Sequence, residues 1–391
     1  VVILVAAYFL IGPFAAVELP SEKWTQVEIG LVLSVAGLVA LVGQMPGGAL
    51  VDAARSERTV AAVAVTLIAA AALTYATMPV FPAVLAAATV HAAASCVLGP
   101  SIAAISLGLV GHVAIGERFG RNARFASLGA GLSAAVMGAV GYFFSTSAVF
   151  FVTAALLGPA FFVLRHIAWE EIDPERSHGN MSGRRAPDKR AHGPPIDFRS
   201  LLSRRPLLIF GGCILLFHLA NAAMLPLMGS VLTTRSSEWA TVLIAACMVG
   251  PQLIVAAFSP WVGRQAQKWG RRPLLIAGFA ALPVRGLLFA IVTDPYLLVA
   301  VQLLDGLTAA VFAVMVPLTV ADLTRDTGRF NLTQGFVGTM MGIGAALSPT
   351  FAGYVSDYAG SGHAFLGLAA IALVGLATVS LLMPETRPAA D

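Results

Sequence analysis

Apolar runs of about twenty residues alternate along this chain with short polar breaks. Twelve such runs fall at about 1–19, 27–50, 59–79, 82–110, 124–145, 148–166, 206–231, 239–262, 273–293, 296–320, 331–353 and 363–383. An α-helix needs about 20 predominantly apolar residues to cross hydrocarbon. A spanning β-strand needs only about ten, with alternating polarity, and these runs do not alternate. Helices also satisfy their own backbone hydrogen bonds, which lipid cannot do. The pattern predicts an all-α integral membrane protein with 12 transmembrane helices, here segments 1 to 12. Segment 1 opens on Val1 without a charged leading region, so it reads as a shortened spanning helix and not as a cleavable leader.

Composition agrees. The 391 residues are 58% hydrophobic and 11% charged, against about 25% charged in soluble domains, and mean hydropathy is +0.84. Charge then sets orientation, because cytoplasmic loops collect lysine and arginine. If the break between segments 2 and 3 is cytoplasmic, all but three of the 24 basic residues lie on that side. The exceptions are Lys23 and Arg235 on the other side and Arg285 within a segment. Both termini are thus expected in the cytoplasm, and the pI near 9.2 reports topology and not nucleic-acid binding. Cys96, Cys213 and Cys247 sit in apolar segments without metal-ligand spacing and read as packing residues.

A polar stretch over 167–205, containing Pro174, Gly179, Pro187, Pro194 and Pro195, divides the chain. It predicts a cytoplasmic linker between a six-helix bundle at 1–166 and a second at 206–391 with a short tail. The halves read as repeats. Pro46 and Pro260 are 214 positions apart, as are His91 and Asp305, while Pro13 and Pro226 are 213 apart. Arg124-Phe125 and Arg329-Phe330 are 205 apart, which implies a deletion between them.

The break after segment 2 reads Gly48-Ala-Leu-Val-Asp52-Ala-Ala-Arg55-Ser-Glu-Arg58. Asp52 can pair with Arg55 or Arg58, or sit at the positive N-terminus of another helix. Gly48 suits close helix approach. The corresponding stretch Gly263-Arg264-Gln265-Ala266-Gln267-Lys268-Trp269-Gly270-Arg271-Arg272 keeps the basic cluster, with Ala266 read at the position of Asp52. With two six-segment halves and a long central loop, these motifs make the whole chain resemble the major facilitator superfamily. The resemblance implies two pseudo-symmetric six-helix bundles, and an Asp52 that contacts the start of segment 11 near Asn331 as part of a cytoplasmic gate. A glycine-rich signature of the superfamily's antiporters is partial in segment 5 (Gly129, Gly138) and fuller in segment 11 (Gly335, Gly344, Ser348-Pro349, Gly353). Pro349 there favours a kink.

Ionisable residues deep in a span are costly and mark function by default. His91, Arg285 and Asp305 all lie roughly 12–15 Å below the outer face at 1.5 Å per residue. A short Thr293-Asp294-Pro295 turn makes segments 9 and 10 antiparallel neighbours, so Arg285 and Asp305 are expected to pair. The pair is either structural or part of coupling, with Asp305 binding a proton beside Arg285; His91 can titrate as well. The resemblance implies a central cavity lined by segments 1, 4, 7 and 10. It adds Tyr8, Ser95, His218 and Asn221 as substrate-cavity candidates, with Pro13 and Pro226 bending segments 1 and 7 beside the site.

No phosphate-cradling Gly-x4-Gly-Lys-Ser/Thr loop, Gly-x-Ser-x-Gly or His-Glu-x-x-His is present, so no catalytic residue, metal or cofactor is expected. The expectation is a monomeric alternating-access transporter of a bacterial inner membrane. Its partners are protons, the lipid bilayer and a small organic or amphiphilic substrate to be exported. Proton-coupled import or uniport of a small anionic metabolite or metal chelate is the alternative. A membrane-embedded enzyme or receptor is the rival from another class.

Overall fold

A computed structural model describes residues 25–180, 204–235, 240–325 and 327–387. They are almost wholly helical. The helices are α1 (Gln26–Ala53), α2 (Glu57–Thr77), α3 (Phe81–Phe143), α4 (Thr146–Ala155), α5 (Leu157–Arg165), a four-residue α6 (Pro174–Ser177), α7 (Arg205–Asn221), α8 (Met224–Arg235), α9 (Ala240–Trp269), α10 (Arg272–Ile291), α11 (Pro295–Leu323), α12 (Phe330–Ala359) and α13 (Ser361–Leu382). Taken with the joins α4–α5 and α7–α8, ten helices are long and apolar enough to cross a membrane. Segment 1, with Tyr8 and Pro13, lies outside the described residues.

Local chemistry sets the ends and breaks. Thr25 and Glu28 form a reciprocal capping box on α1, and Ser56 and Ser145 cap α2 and α4. The 63-residue α3 joins the predicted segments 4 and 5 across a kink at Gly111, whose φ of 64° suits glycine. Segment 5 therefore starts some twelve residues before the predicted 124. Pro159 cannot donate to the Ala155 carbonyl, and α4 gives way to α5 there. Pro226 likewise leaves the Ala222 carbonyl without its helical donor, and α7 gives way to α8 at that turn.

The chain forms two compact units: residues 1–115, 125–193 and 324–335 in the first, and 116–124, 194–323 and 336–391 in the second. In the first, α2 buries Ala61, Ala64, Val65, Ile68, Ala72 and Tyr75, a single face at helical spacing. That face meets Leu98 and Ile105 of α3 and Phe150 of α4, with Tyr75 and Phe150 ring centroids 5.3 Å apart. In the second, Phe217, Phe279 and Phe312 join α7, α10 and α11, the rings of Phe217 and Phe312 stacked at 3.8 Å. Leucines and valines such as Leu38, Val42, Leu253 and Leu381 stay exposed, the expected outer surface for a helix bundle in lipid. Cys96, Cys213 and Cys247 are buried and free.

Close backbone crossings reveal the repeat register. In the first unit Gly48 abuts the Asn331 backbone and Gly335 abuts that of Gln44. In the second, Gly263 abuts the Gly116 backbone and Gly120 that of Ser259. Each residue of the first set lies 215 positions from its counterpart in the second: 48 with 263, 44 with 259, 116 with 331, 120 with 335. This moves the 214-residue pairs, Pro46 with Pro260 and His91 with Asp305, one position out of register, and it corrects two further readings. The Arg-Phe pairs 205 apart are a coincidence that needs no deletion, and the counterpart of Asp52 is Gln267, not Ala266.

Gly344 lies against the Leu215 carbonyl, whereas Gly353, one helical face away, has open space. Gly344→Ala must push α7 and α12 apart. It is expected to lower the melting temperature by several degrees in detergent, at about 1–3 kcal/mol. Gly353→Ala is expected to match or exceed wild type, because alanine favours helix by about 1 kcal/mol.

Candidate functional site

The turn between α10 and α11 is tight because Asp294 caps α11, accepting the amides of Tyr296 and Leu297 at 2.9 Å. The two helices run back antiparallel from it. This brings Arg285, 2% exposed, onto Asp305. The guanidinium Nη1 donates to Asp305 Oδ1, and Nη2 donates to Asn221 Oδ1. Nη2 also lies 3.3 Å from Met224 Sδ, and the guanidinium carbon 6.0 Å from the Phe289 ring centre. The other Asp305 oxygen, Oδ2, accepts from Gln302 Nε2 at 3.4 Å.

The break in segment 7 builds the remaining wall. Asn221 ends α7 and Met224 begins α8, so the turn forced by Pro226 presents both to Arg285. The break leaves the Ala223 amide without its helical acceptor, and the buried Ser348 hydroxyl accepts it at 3.0 Å. Ser348 precedes Pro349, which spares the Ala345 carbonyl in the same stretch of α12. Gly286 lets Met224 approach closely. His218, one turn before Asn221, packs edge-on to Phe217 and feels the Asp305 charge.

The pair is asymmetric. The Arg285 side chain is 2% exposed and that of Asp305 is 26% exposed. A cation is fixed in the protein interior, and its carboxylate partner remains open on one side.

Of the residues singled out from sequence, Arg285, Asp305, Asn221 and His218 gather here. His91 and Ser95 lie one turn apart on α3 in the other unit, where the Ser95 hydroxyl donates to the His91 carbonyl at 2.8 Å. Gln302 and Met224 were missed, and Ser348 was named only within the signature of segment 11. Gln302 had a signal, its place three residues from Asp305 on one helix face.

A second cluster lies at the ends of α1 and α12. Asp52 Oδ1 accepts the Asn331 amide at 3.1 Å and its side-chain Nδ2 at 2.8 Å, and Oδ2 accepts the Leu332 amide at 2.7 Å. Arg55 is exposed, and Arg58 donates to the Ile167 carbonyl at 2.8 Å. The equivalent stretch of the second unit is held differently. Arg271 pairs with Asp322 at 2.8 Å, both buried, and donates to the Ala266 carbonyl at 2.6 Å. Arg272 donates to the Ser380 carbonyl. Glu385, just beyond α13, accepts the amides of Arg271, Arg272 and Arg387. Burial works to raise the Glu385 carboxyl, but these amides and the Arg271 charge outweigh it and hold it below the usual carboxylate range.

Two outcomes are expected. Asp305→Ala leaves a buried cation uncompensated and costs about 2–4 kcal/mol. With Arg285→Ala added, the double variant loses less than the two single losses summed, as a double-mutant cycle of melting curves reads out. A lowered carboxylate stabilises the fold above its unfolded pKa and loses that contribution as pH falls through the folded value. Glu385→Gln is therefore expected to melt about 1–2 °C below wild type at pH 7, the gap closing below about pH 4.

Residues 1–250 and 212–391 each match the family model described as Major Facilitator Superfamily. The chain is 38% identical over 380 residues to an uncharacterised MFS-type transporter of Mycobacterium tuberculosis, spanning 96% of this chain and 89% of that one. It is 27% identical to the class B tetracycline resistance protein of Escherichia coli over 139 residues, 36% of this chain and 34% of that protein. Its fold resembles that of the Escherichia coli fucose:proton symporter, with TM-score 0.76 at 14% identity over 97% and 96% of the two chains. On this extent of match, the chain belongs to the Major Facilitator Superfamily of membrane transporters.

Proposed function

We propose that this transporter works by alternating access and couples export of a small organic or amphiphilic solute to proton entry, with Asp305 as the proton-carrying group. The observation that carries this reading is the half-open Asp305 carboxylate bonded to the buried Arg285, itself bonded to Asn221. When Asp305 is ionised, Arg285 is neutralised and held. When Asp305 is protonated, the guanidinium must seek another acceptor, and Asn221 and the α7–α8 break stand next to it. Protonation is thereby tied to the geometry of a bent helix. His218 and Asn221 on α7, with His91 and Ser95 on α3, are proposed as polar substrate contacts.

Export is favoured by the tetracycline resistance relative, because a membrane transporter that confers resistance must move the drug outward. The apolar neighbours of the pair, Met224 and Phe289, suit an amphiphilic solute better than a small hydrophilic anion. Arg285, already held by two acceptors, is a poor free anchor for an anion. A bacterial inner membrane, cytoplasmic termini and a monomeric working unit complete the proposal. The notional 167–205 linker would join bundles at 1–166 and 206–391.

The test is transport in proteoliposomes across a panel including tetracycline and amphiphilic cations, under an imposed pH gradient. Wild type is expected to accumulate substrate at least about tenfold faster with the gradient than without it, and Asp305→Asn to lose that difference while retaining solute exchange. Gradient-independent flux in wild type, or unaltered gradient response in Asp305→Asn, refutes proton coupling at this residue.

A further inference from the structure

The segment after α5 docks back onto the first unit. Its Asp173 amide donates to the Gly108 carbonyl at 3.3 Å, and Ile172 and Ser177 fill the space a side chain on Gly108 would need. Gly179, at φ 94°, lies against Phe330 and Thr324. The His178 carbonyl accepts the Phe330 amide at 3.4 Å. The first four amides of a helix have no acceptor within it. In α12 the Phe330 amide is taken by His178, those of Asn331 and Leu332 by Asp52, and that of Thr333 by the preceding Arg329 carbonyl. Asp52 thus shares this helix end with the segment carrying His178.

What positions His178 is a buried acid. Glu57, the first residue of α2 and 4% exposed, accepts from the Ser177 hydroxyl and lies 3.6 Å from His178 Nε2. The other ring nitrogen, Nδ1, is 2.6 Å from the Pro174 carbonyl. A carbonyl only accepts, so Nδ1 must carry a hydrogen. In the neutral ring Nε2 then turns a bare lone pair toward the Glu57 carboxylate, and it is buried without a hydrogen-bond partner. Protonation converts that lone pair into a donor aimed at Glu57.

We propose that Glu57 and His178 form a proton-sensing switch on the cytoplasmic side, which fastens residues 172–180 and, through the His178 carbonyl, the first turn of α12. The acids facing the imidazole are Glu57 from α2 and Asp52 from the end of α1, on which His178 acts electrostatically. The segment leading into α12 carries Arg325 and Arg329, and the docked segment itself carries Asp173, Glu175 and Arg176. With two acids facing it, a protonated His178 tightens the fastening. Acid in the cytoplasm tightens the His178 fastening of this end of α12, and alkali loosens it. The switch stands apart from proton coupling at Asp305.

Thr333, fully buried one turn into α12, reports release of this end when replaced by cysteine in a background lacking Cys96, Cys213 and Cys247. Labelling by a membrane-impermeant maleimide in inside-out vesicles is normalised at each pH to Lys268→Cys, an exposed position. Labelling of Thr333→Cys is expected to be about 3- to 10-fold slower at pH 6 than at pH 8, the scale of a partly buried ion pair. His178→Ala labels quickly at both. Glu57→Gln, which keeps an acceptor for Ser177 but no charge, labels near the unsubstituted rate at pH 8 and loses the pH dependence. Asp305→Asn retains the dependence, so failure here and failure of coupling at Asp305 are told apart. Hydrogen exchange at the amides of Phe330 to Leu332, corrected for intrinsic rates, gives the same reading without cysteine substitution. A pH-independent wild type, or a dependence that survives in both His178→Ala and Glu57→Gln, overturns the switch.

Discussion

Lipid offers no hydrogen bonds, so each polar group within the span must find its partner in the chain itself. That constraint accounts for the features described above. The Ala223 amide, freed where Pro226 interrupts segment 7, is met by Ser348. The Arg285 guanidinium is met by Asp305 and Asn221. The opening amides of α12, at the membrane's edge, are met by Asp52 and His178. Each solution brings together residues distant in sequence. The polar contacts therefore define tertiary arrangement more sharply than the apolar packing that surrounds them.

Architecture was legible in the sequence because crossing hydrocarbon demands length and uniform apolarity, and both are visible in one dimension. The Arg285–Asp305 pairing was legible for a related reason: a three-residue turn leaves two helices no choice but to lie side by side. Register was not. Helices that are apolar all round carry no strong period, so chance pairs such as Arg124-Phe125 and Arg329-Phe330 stand at offsets of their own. The true 215-residue relation rests on which glycines touch which carbonyls, a property of crossing geometry. Asn221 was picked out as a polar residue on a cavity-lining segment, but its bond to Arg285 depends on how Pro226 breaks the helix. Gln302 was overlooked, and Ser348 was named only as part of a glycine-rich signature, because their importance lies wholly in what faces them.

The repeats have diverged at equivalent helix ends. In the first unit a carboxylate, Asp52, holds a helix N-terminus directly. In the second, Gln267 stands there, its side chain an acceptor for Arg271 at 3.3 Å. The electrostatic work passes to the buried Arg271–Asp322 pair and to Glu385 from the tail. One clasp is a single acid on backbone dipoles, the other a small ionic network. Dissimilar bonds at matched positions respond differently to pH and salt, so the two ends need not loosen together.

The serine between two bent helices has a wider meaning. Because Ser348 holds the Ala223 amide, which the α7–α8 break leaves without a helical acceptor, α12 and that break are joined as gear and ratchet. Moving α12 away from the break strips a buried donor of its acceptor, at about 1–3 kcal/mol. Evolution can therefore vary the lipid-facing residues of both helices almost freely, but can alter the serine or the proline only in concert. In relatives of this chain those two positions should change hands together, like the two halves of one joint.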